Sequence, residues 1–393
     1  MEEKLENIRF GKRSIQKLLI SLFLFFAVFT PADSLNLKLF FFSIILLINI
    51  SLFLDFYRKK ENLYLLFYTL IFPAILFIVS LILTGNFSDT LKYFYVFTYL
   101  LLIPIVERYK IDYIKIFMNC LNIISLTIVL SSLLDLLGIL SIYVNPLLQF
   151  LSTNGEAQIS LSMYAIFKYV LFLKGSPLLI ISLCYYTWHY RLGWATVSFL
   201  GLILSGTRAN IYMALMAIVV LAFINNRSRW LKPIFLIVLI LIVILFGGNF
   251  IDKVETINWA KSTGDSIREL NAQSILLSMK SNPLSYFIGN GAMSAYYGLG
   301  RGEYLMTSEL SYLELFRQTG LLGIIPFGLF LLRPLATFVV KKNSWLLIGY
   351  SFYLIKCVFD PFLFTSTGFL LYVLVYYEMR RGQENDLLSN KIY

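Results

Sequence analysis

Apolar runs close to the length needed to cross a ~30 Å hydrocarbon core recur from one end of this chain to the other. They occupy residues 15–32, 36–54, 63–84, 91–106, 113–137, 176–190, 193–205, 208–224, 233–249, 321–340, 344–359 and 362–379. Each is a continuous block of Leu, Ile, Phe and Val, whereas a membrane β-barrel would alternate apolar and polar residues. The chain is 59% hydrophobic, against roughly 45–50% for a soluble domain. The pattern predicts an all-α, polytopic integral membrane protein with about twelve transmembrane helices. Residues 1–393 form a single membrane domain, with no internal repeat and no separate soluble unit.

Charge orients the helices. Alternate connections carry Lys or Arg: DFYRKKEN (55–62), ERYKID (107–112), HYR (189–191), NNRSRW (225–230), KK (341–342) and MRR (379–381). By the positive-inside rule these face the cytoplasm, as do both termini. The remaining connections are 31–34, 85–90, 138–175, 205–207, 250–320 and 360–361, and they fall on the outer side. The formal net charge of +11 is dispersed among these clusters, which excludes a nucleic-acid-binding patch. The N-terminal basic residues Lys12, Arg13 and Lys17 precede an apolar run without a small-x-small cleavage site, so the run reads as a first membrane helix. Cys120, Cys184 and Cys357 lie inside apolar runs and lack CxxC spacing, which suits buried thiols. With His189 as the one histidine, a histidine-based metal site is excluded.

Two outer segments exceed a turn. In 138–175, Thr153-x-x-Glu156 has capping-box spacing. Ile159, Met163, Ile166, Phe167 and Val170 follow at helical intervals, predicting an interfacial amphipathic helix. In the large 250–320 loop, Ser266-x-x-Glu269 has the same spacing, and a helix should run to about Ser281 before Asn282-Pro283 stops it. Gly289, Gly291, Gly298, Gly300 and Gly302 then mark irregular backbone.

Chemistry concentrates at this outer side. Arg268 falls in the first turn of the helix that Ser266 opens, and Arg208 is the first residue of a helix that Thr207 can cap. A cation at a helix N-terminus is disfavoured by roughly 0.3–1 kcal/mol, unless an anion binds between the guanidinium and the free N–H groups. Two such positions suggest a phosphate or pyrophosphate site. The plain alternative for each is an interfacial arginine on lipid headgroups or a carbonyl. Glu309 is placed to start a helix shared with Tyr312, Leu313 and Phe316, and reads either as an ordinary helix-start carboxylate or as a general base. Glu314 with Arg317, and Lys356 with Asp360, are spaced to pair. Arg301 reads as solvated, with a mobile anion contact as the alternative. Lys168 and Lys174 read as interfacial cations, and Asp135 shows no partner.

Three segments carry a resemblance. LILSGTRANIYMAL (202–215) is similar to the Ser-Arg hairpin of the O-antigen ligase/polymerase superfamily. DSIRELNAQSILLSMKSNPLSYFIGNG (265–291) is similar to its arginine, helix, Asn-Pro and Gly-x-Gly succession. SELSYLELFRQTGLLG (308–323) is similar to its His-Asn-x-Tyr-Leu and Thr-Gly-x-x-Gly segment. The chain most resembles a Wzy-type polysaccharide polymerase, because Glu309 stands where the ligases carry histidine. Lys168 stands where an arginine is often found.

The resemblance implies a glycosyltransferase of the bacterial inner membrane that joins undecaprenyl-pyrophosphate-linked oligosaccharide repeat units. It needs neither metal nor other cofactor, since guanidinium groups take that place. Arg208, Arg268 and Glu309 are the implied catalytic residues. Lys168, Arg301 and Tyr312 are the substrate-binding candidates. Membrane lipids and a chain-length regulator protein are the implied partners. Two readings stay open: an O-antigen ligase transferring polymer to lipid A core, and a non-enzymatic flippase for the same lipid-linked sugar. A flippase should carry charges deep in several helices, whereas most candidate charges here sit at one face. The charge alternation makes the topology testable: alkaline phosphatase fused within 250–320 should be active, and a stable but inactive fusion there would overturn the orientation.

Overall fold

The computed structural model describes residues 2–161, 167–224, 266–280 and 282–389. Each apolar run falls on helix except 233–249, which lies outside the described residues together with the connection 225–230. In chain order the helices begin with α1 (Glu2–Phe29), α2 (Leu37–Ile48) and α3 (Ile50–Tyr57). The helical segments α4 (Lys60–Thr84), α5 (Phe87–Arg108) and α6 (Tyr113–Leu136) follow. Next come α7 (Pro146–Thr153), strands β1 (Ala157–Leu161) and β2 (Tyr169–Leu173), then α8 (Leu179–Trp188), α9 (Leu192–Leu204) and α10 (Arg208–Ile224). After α11 (266–280) come α12 (Ser285–Ile288), β3 (Tyr296–Gly298) and β4 (Glu303–Leu305), and the chain closes with α13 (Ser311–Lys341), α14 (Ser344–Lys356) and α15 (Ser366–Ser389).

The chain is a multi-pass helical membrane protein. Among the described residues, α4, α5, α6 and α13 are each long and apolar enough to cross a membrane, and α2 with α3, bent by 65°, makes a fifth candidate. The 13-residue helices α9 and α14 rise only ~20 Å at 1.5 Å per residue, short of a ~30 Å core. The described helices therefore supply fewer full-length spans than the apolar runs predict. The run Leu370–Tyr376 of α15 is fully buried on every side, as expected of a helix apolar all round at the centre of a bundle. Phe97 packs on Phe369 with ring centroids 4.6 Å apart, and Phe330 on Tyr376 at 4.6 Å, seating α5 and α13 against this post.

Contacts sort the connections into two groups, each at its own end of the bundle. At the basic end, Arg13 donates to the Lys110 carbonyl at 3.0 Å. Arg380 pairs with Glu107 at 2.5 Å and covers the Phe56 ring. Lys341 donates to the Met379 carbonyl, and Trp345 meets His189. At the other end, Ser366 donates to the Pro31 carbonyl, Gly206 lies against Val170, and the Ala292 N–H donates to the Ser80 hydroxyl at 3.0 Å. Every described connection taken as cytoplasmic is at the first end. The described connections taken as periplasmic that these contacts reach are at the second.

One element departs from expectation. Where the spacing predicts an amphipathic helix, two strands pair antiparallel, with Ala157 opposite Leu173 and Leu161 opposite Tyr169, while Met163 and Ile166 lie outside the described residues. The aromatic and β-branched run Tyr169–Leu173 suits a strand. The supposed capping box is also split: Thr153 ends α7, its hydroxyl donating back to the Gln149 carbonyl. Gly155 then turns the chain at φ 69°. The Glu156 carboxylate, fully buried, accepts the Ala32 and Ser34 N–H groups at 2.8 and 3.1 Å. It ties the strand pair to the α1–α2 connection instead of starting a helix.

The segment preceding α13 is joined to the bundle by a backbone crossing. The Asn290 N–H donates to the Arg317 carbonyl at 2.8 Å, and Gly291 N–H to the Gln318 carbonyl at 3.0 Å. Gly289 (φ 77°) and Gly320 (φ 60°) flank the crossing. A Cβ on Gly289 would sit 2.3 Å from Gln318 backbone, and one on Gly320 would sit 2.5 Å from Phe287 backbone. Only glycine supplies both the positive φ and the space. Gly289→Ala and Gly320→Ala should each destabilise by more than the ~1–3 kcal/mol of backbone strain alone. Thermal unfolding in detergent checks this, and Gly328→Ala, at an open position on α13, should melt like the wild type.

Candidate active site

The loop is built to bring three charged side chains together. Helix α11 buries Asn271, Ser274, Ile275 and Met279, an i, i+3, i+4 face turned to the loop. Ser274 accepts the Leu299 N–H at 2.8 Å. Strands β3 and β4 pair Tyr296 with Leu305 and Gly298 with Glu303, leaving Gly300 and Arg301 at the tip. A Cβ on Gly300 would fall 2.5 Å from the Ile267 carbonyl oxygen. Glycine there lets the tip close on α11 and sets Arg301 on the same carboxylate as Arg268. Arg268 Nε lies 3.4 Å from Glu309 Oε2, and an Arg301 terminal nitrogen lies 3.0 Å from Oε1. The three side chains are 40–47% exposed, so the cluster is open to water and to a ligand.

Beneath it lies a buried network. Arg317, fully buried, holds Glu314 at 2.7 and 3.1 Å through two of its nitrogens. It also donates to Ser294 Oγ at 2.8 Å and to the Met306 carbonyl at 3.3 Å, and its guanidinium covers the Tyr296 ring at 4.4 Å. Gln318 donates to Glu314 Oε1 at 2.5 Å. Burial pushes the Tyr296 phenol above its ordinary pKa, with Glu314 adding to the rise, so this ring stays neutral at physiological pH. A buried ion pair is tolerated only when its remaining hydrogen-bonding groups are satisfied, and the loop supplies those partners.

A second group of cations stands nearby. Gly206, at the α9–α10 tip, packs on Val170 of β2, which places Arg208, the first residue of α10, beside that strand. Lys168, two residues before Val170, extends over the Tyr169 ring at 5.3 Å to its centroid. The strand reaches toward α13 through the Asp360–Phe362 turn: Phe172 meets Phe362, and Ser311 donates to the Asp360 carbonyl at 2.6 Å. The Asp360–Phe362 turn thus touches both strand β2 and the start of α13.

Several sequence expectations need correction. Glu309 does not begin a helix. It precedes α13 by two residues, and the Ser308 hydroxyl accepts the Leu310 N–H. Arg301 is not merely solvated, since it grips Glu309. Tyr312 does not join this cluster: its hydroxyl donates to the Leu354 carbonyl of α14 at 3.0 Å. Thr207 does not cap α10 with its side chain, whose buried oxygen has no hydrogen-bond partner; Asn210 instead donates to Ser205 Oγ at 2.7 Å. Asp135 is engaged by the Ile142 N–H. The pairs Glu314–Arg317 and Lys356–Asp360 form as the spacing predicts, each at 2.7 Å. Where α11 begins, and hence the Ser266 cap and the place of Arg268 in the first turn, lies outside the described residues.

Sequence reasoning missed the anchors Glu156, Ser294 and Tyr296. A signal existed for the network: charged residues at the mouth of a membrane helix are costly and need partners.

The O-antigen ligase family model matches residues 194–328. The match covers α9, α10, the segment that follows it and the first half of α13, the elements that carry Arg208, Arg268, Arg301 and Glu309, while Lys168 lies outside it. That stretch is therefore similar to the O-antigen ligase family, whose members are glycosyltransferase-like enzymes. No curated protein matches it.

Glu314→Ala strands a buried guanidinium, and such a break costs about 3–5 kcal/mol. The variant should lose folded protein in size-exclusion chromatography. Exposed Glu303, changed to Ala, should not.

Proposed function

We propose that this protein polymerises undecaprenyl-pyrophosphate-linked oligosaccharide repeat units at the periplasmic face of the bacterial inner membrane. The observation that carries the reading is a carboxylate gripped by two exposed guanidinium groups, Glu309 between Arg268 and Arg301. Such guanidiniums are suited to bidentate binding of pyrophosphate. On this reading the incoming pyrophosphate takes over the guanidiniums and frees the Glu309 oxygens. A hydroxyl of one lipid-linked repeat attacks the anomeric carbon of the growing chain's reducing-end sugar. The bond from that carbon to the pyrophosphate oxygen breaks, undecaprenyl pyrophosphate leaves, and Glu309 takes the hydroxyl proton. Arg208 and Arg268 stabilise the negative charge that develops on the leaving oxygen, the kind of preorganised electrostatics that dominates many rates. Lys168 adds a further cation, and the guanidiniums make a metal unnecessary.

The polymerase reading is favoured over the ligase because Glu309 occupies the position where the ligases carry histidine. A gene deletion separates them. A polymerase mutant keeps one repeat unit on the lipopolysaccharide core and loses the ladder, whereas a ligase mutant loses all O-antigen from the core.

The roles are tested with purified lipid-linked repeat units, at matched protein levels, by the length distribution of the product. Glu309→Gln should slow polymerisation by roughly 10²–10⁴, and Glu309→Asp should keep part of the activity. Arg208→Ala and Arg268→Ala should abolish extension, with little recovery in the Lys variants, because a point charge lacks the fork. EDTA should leave the wild-type rate unchanged. A wild-type ladder from Glu309→Gln would reduce that residue to a salt-bridge partner.

A further inference from the structure

At the opposite end of the bundle from these arginines, two clefts share Arg13. One, of about 320 Å³, lies between α1 and α6. Arg13, Lys17 and Lys115 line its mouth, while Phe25, Ile116 and Ile123 line its length. The other, of about 460 Å³, is lined by Lys12, Arg13, Arg108, Tyr109 and Lys110. Arg13 is fixed where they meet by its 3.0 Å hydrogen bond to the Lys110 carbonyl. The acidic lining residue is Asp112, and one of its oxygens already accepts the Lys115 N–H.

The positive-inside rule accounts for basic residues at this end but not for their arrangement. Topology needs only charge in a connection. Here Arg13 and Lys17 stand on successive turns of α1 and Lys115 on the first turn of α6, and all face one cleft. From that mouth the lining becomes apolar along Phe25 and Ile123, in the direction an acyl chain would take into the bilayer. The opening is cationic, the depth apolar, and the cleft open at the side between two helices.

We propose that this cleft binds one anionic glycerophospholipid, with its phosphate among Arg13, Lys17 and Lys115 and an acyl chain along the α1–α6 seam. A zwitterionic lipid offers the same chains but a neutral headgroup, so the basic mouth selects for net negative charge. Basic residues near a bilayer surface contribute about 1 kcal/mol each toward anionic lipid. Removing three of them should therefore weaken binding about a hundredfold.

The test uses the full-length protein, purified in detergent and titrated with dioleoyl-phosphatidylglycerol or dioleoyl-phosphatidylcholine, with bound lipid counted by native mass spectrometry. The wild type should bind the anionic lipid about tenfold or more tightly than the zwitterionic one. The combined variant Arg13→Gln, Lys17→Gln, Lys115→Gln should lose that preference. The exposed Asn119 lines the same cleft, and Asn119→Trp should block it with every charge in place. All positions changed are exposed, so size-exclusion profiles should match the wild type. Equal binding of the two lipids by the wild type would overturn the proposal, as would unchanged phosphatidylglycerol binding by the combined variant. Loss in the combined variant with full binding by Asn119→Trp would also overturn it, since headgroups would then gather on a basic surface without entering the cleft.

Discussion

The segment from α11 to the start of α13 depends on the place where Asn290 and Gly291 cross Arg317 and Gln318. Two backbone hydrogen bonds and two glycines close that contact, and α13 carries it directly into the bundle. Arg317 then reaches from the same helix to Ser294 and Met306, so the hairpin β3–β4 is held at both its approach and its exit. Arg301 at the hairpin tip and Glu309 at its end inherit their positions from this joint. A catalytic constellation held within a fraction of an ångström needs such support, because a loop alone would leave it too loose.

The same residue types behave differently at two depths. Arg317 and Glu314 are almost wholly removed from solvent, so their pairing cannot be given up without leaving a charge in a poor medium. Arg268, Arg301 and Glu309 are nearly half exposed, where ion pairs contribute roughly 0–1 kcal/mol and are readily exchanged. The buried pair belongs to the architecture. The exposed cluster is available to a ligand, because its salt bridges cost little to replace with equivalent contacts. Glu156 belongs with the first kind: its buried carboxylate uses two backbone N–H groups as partners.

Much of the bundle was legible in the sequence because continuous apolar runs have few other solutions in lipid. Pairs such as Lys356–Asp360 could be read because a helix brings i and i+4 together. The span lengths were less legible, since hydropathy marks apolar residues and not where short helices such as α9 and α14 end. The pairing of 157–161 with 169–173 is hidden because Ile159, Met163, Ile166, Phe167 and Val170 fit a helical period by coincidence, and pairing across strands is not local information. At the site, Arg268 and Glu309 stand out in the chain, but the contact of Arg301 does not, because it depends on Gly300 closing against α11. Tyr312 stands out for the converse reason. A helical face names its neighbours on that helix and says nothing of α14, whose Leu354 carbonyl takes the hydroxyl.

The exposed cluster also bears on how a single carboxylate could serve the proposed reaction. Before substrate enters, both Glu309 oxygens are occupied by guanidinium groups, and a carboxylate so engaged has little lone-pair density to offer a sugar hydroxyl. A pyrophosphate presents more oxygens and more charge than one carboxylate, so it competes for the same forks and can displace Glu309 from at least one of them. Binding of the donor would then create the base. This coupling limits wasteful hydrolysis, because the acceptor for a proton becomes available only when a glycosyl donor is seated. On this reading Arg268 and Arg301 would exchange partners on binding.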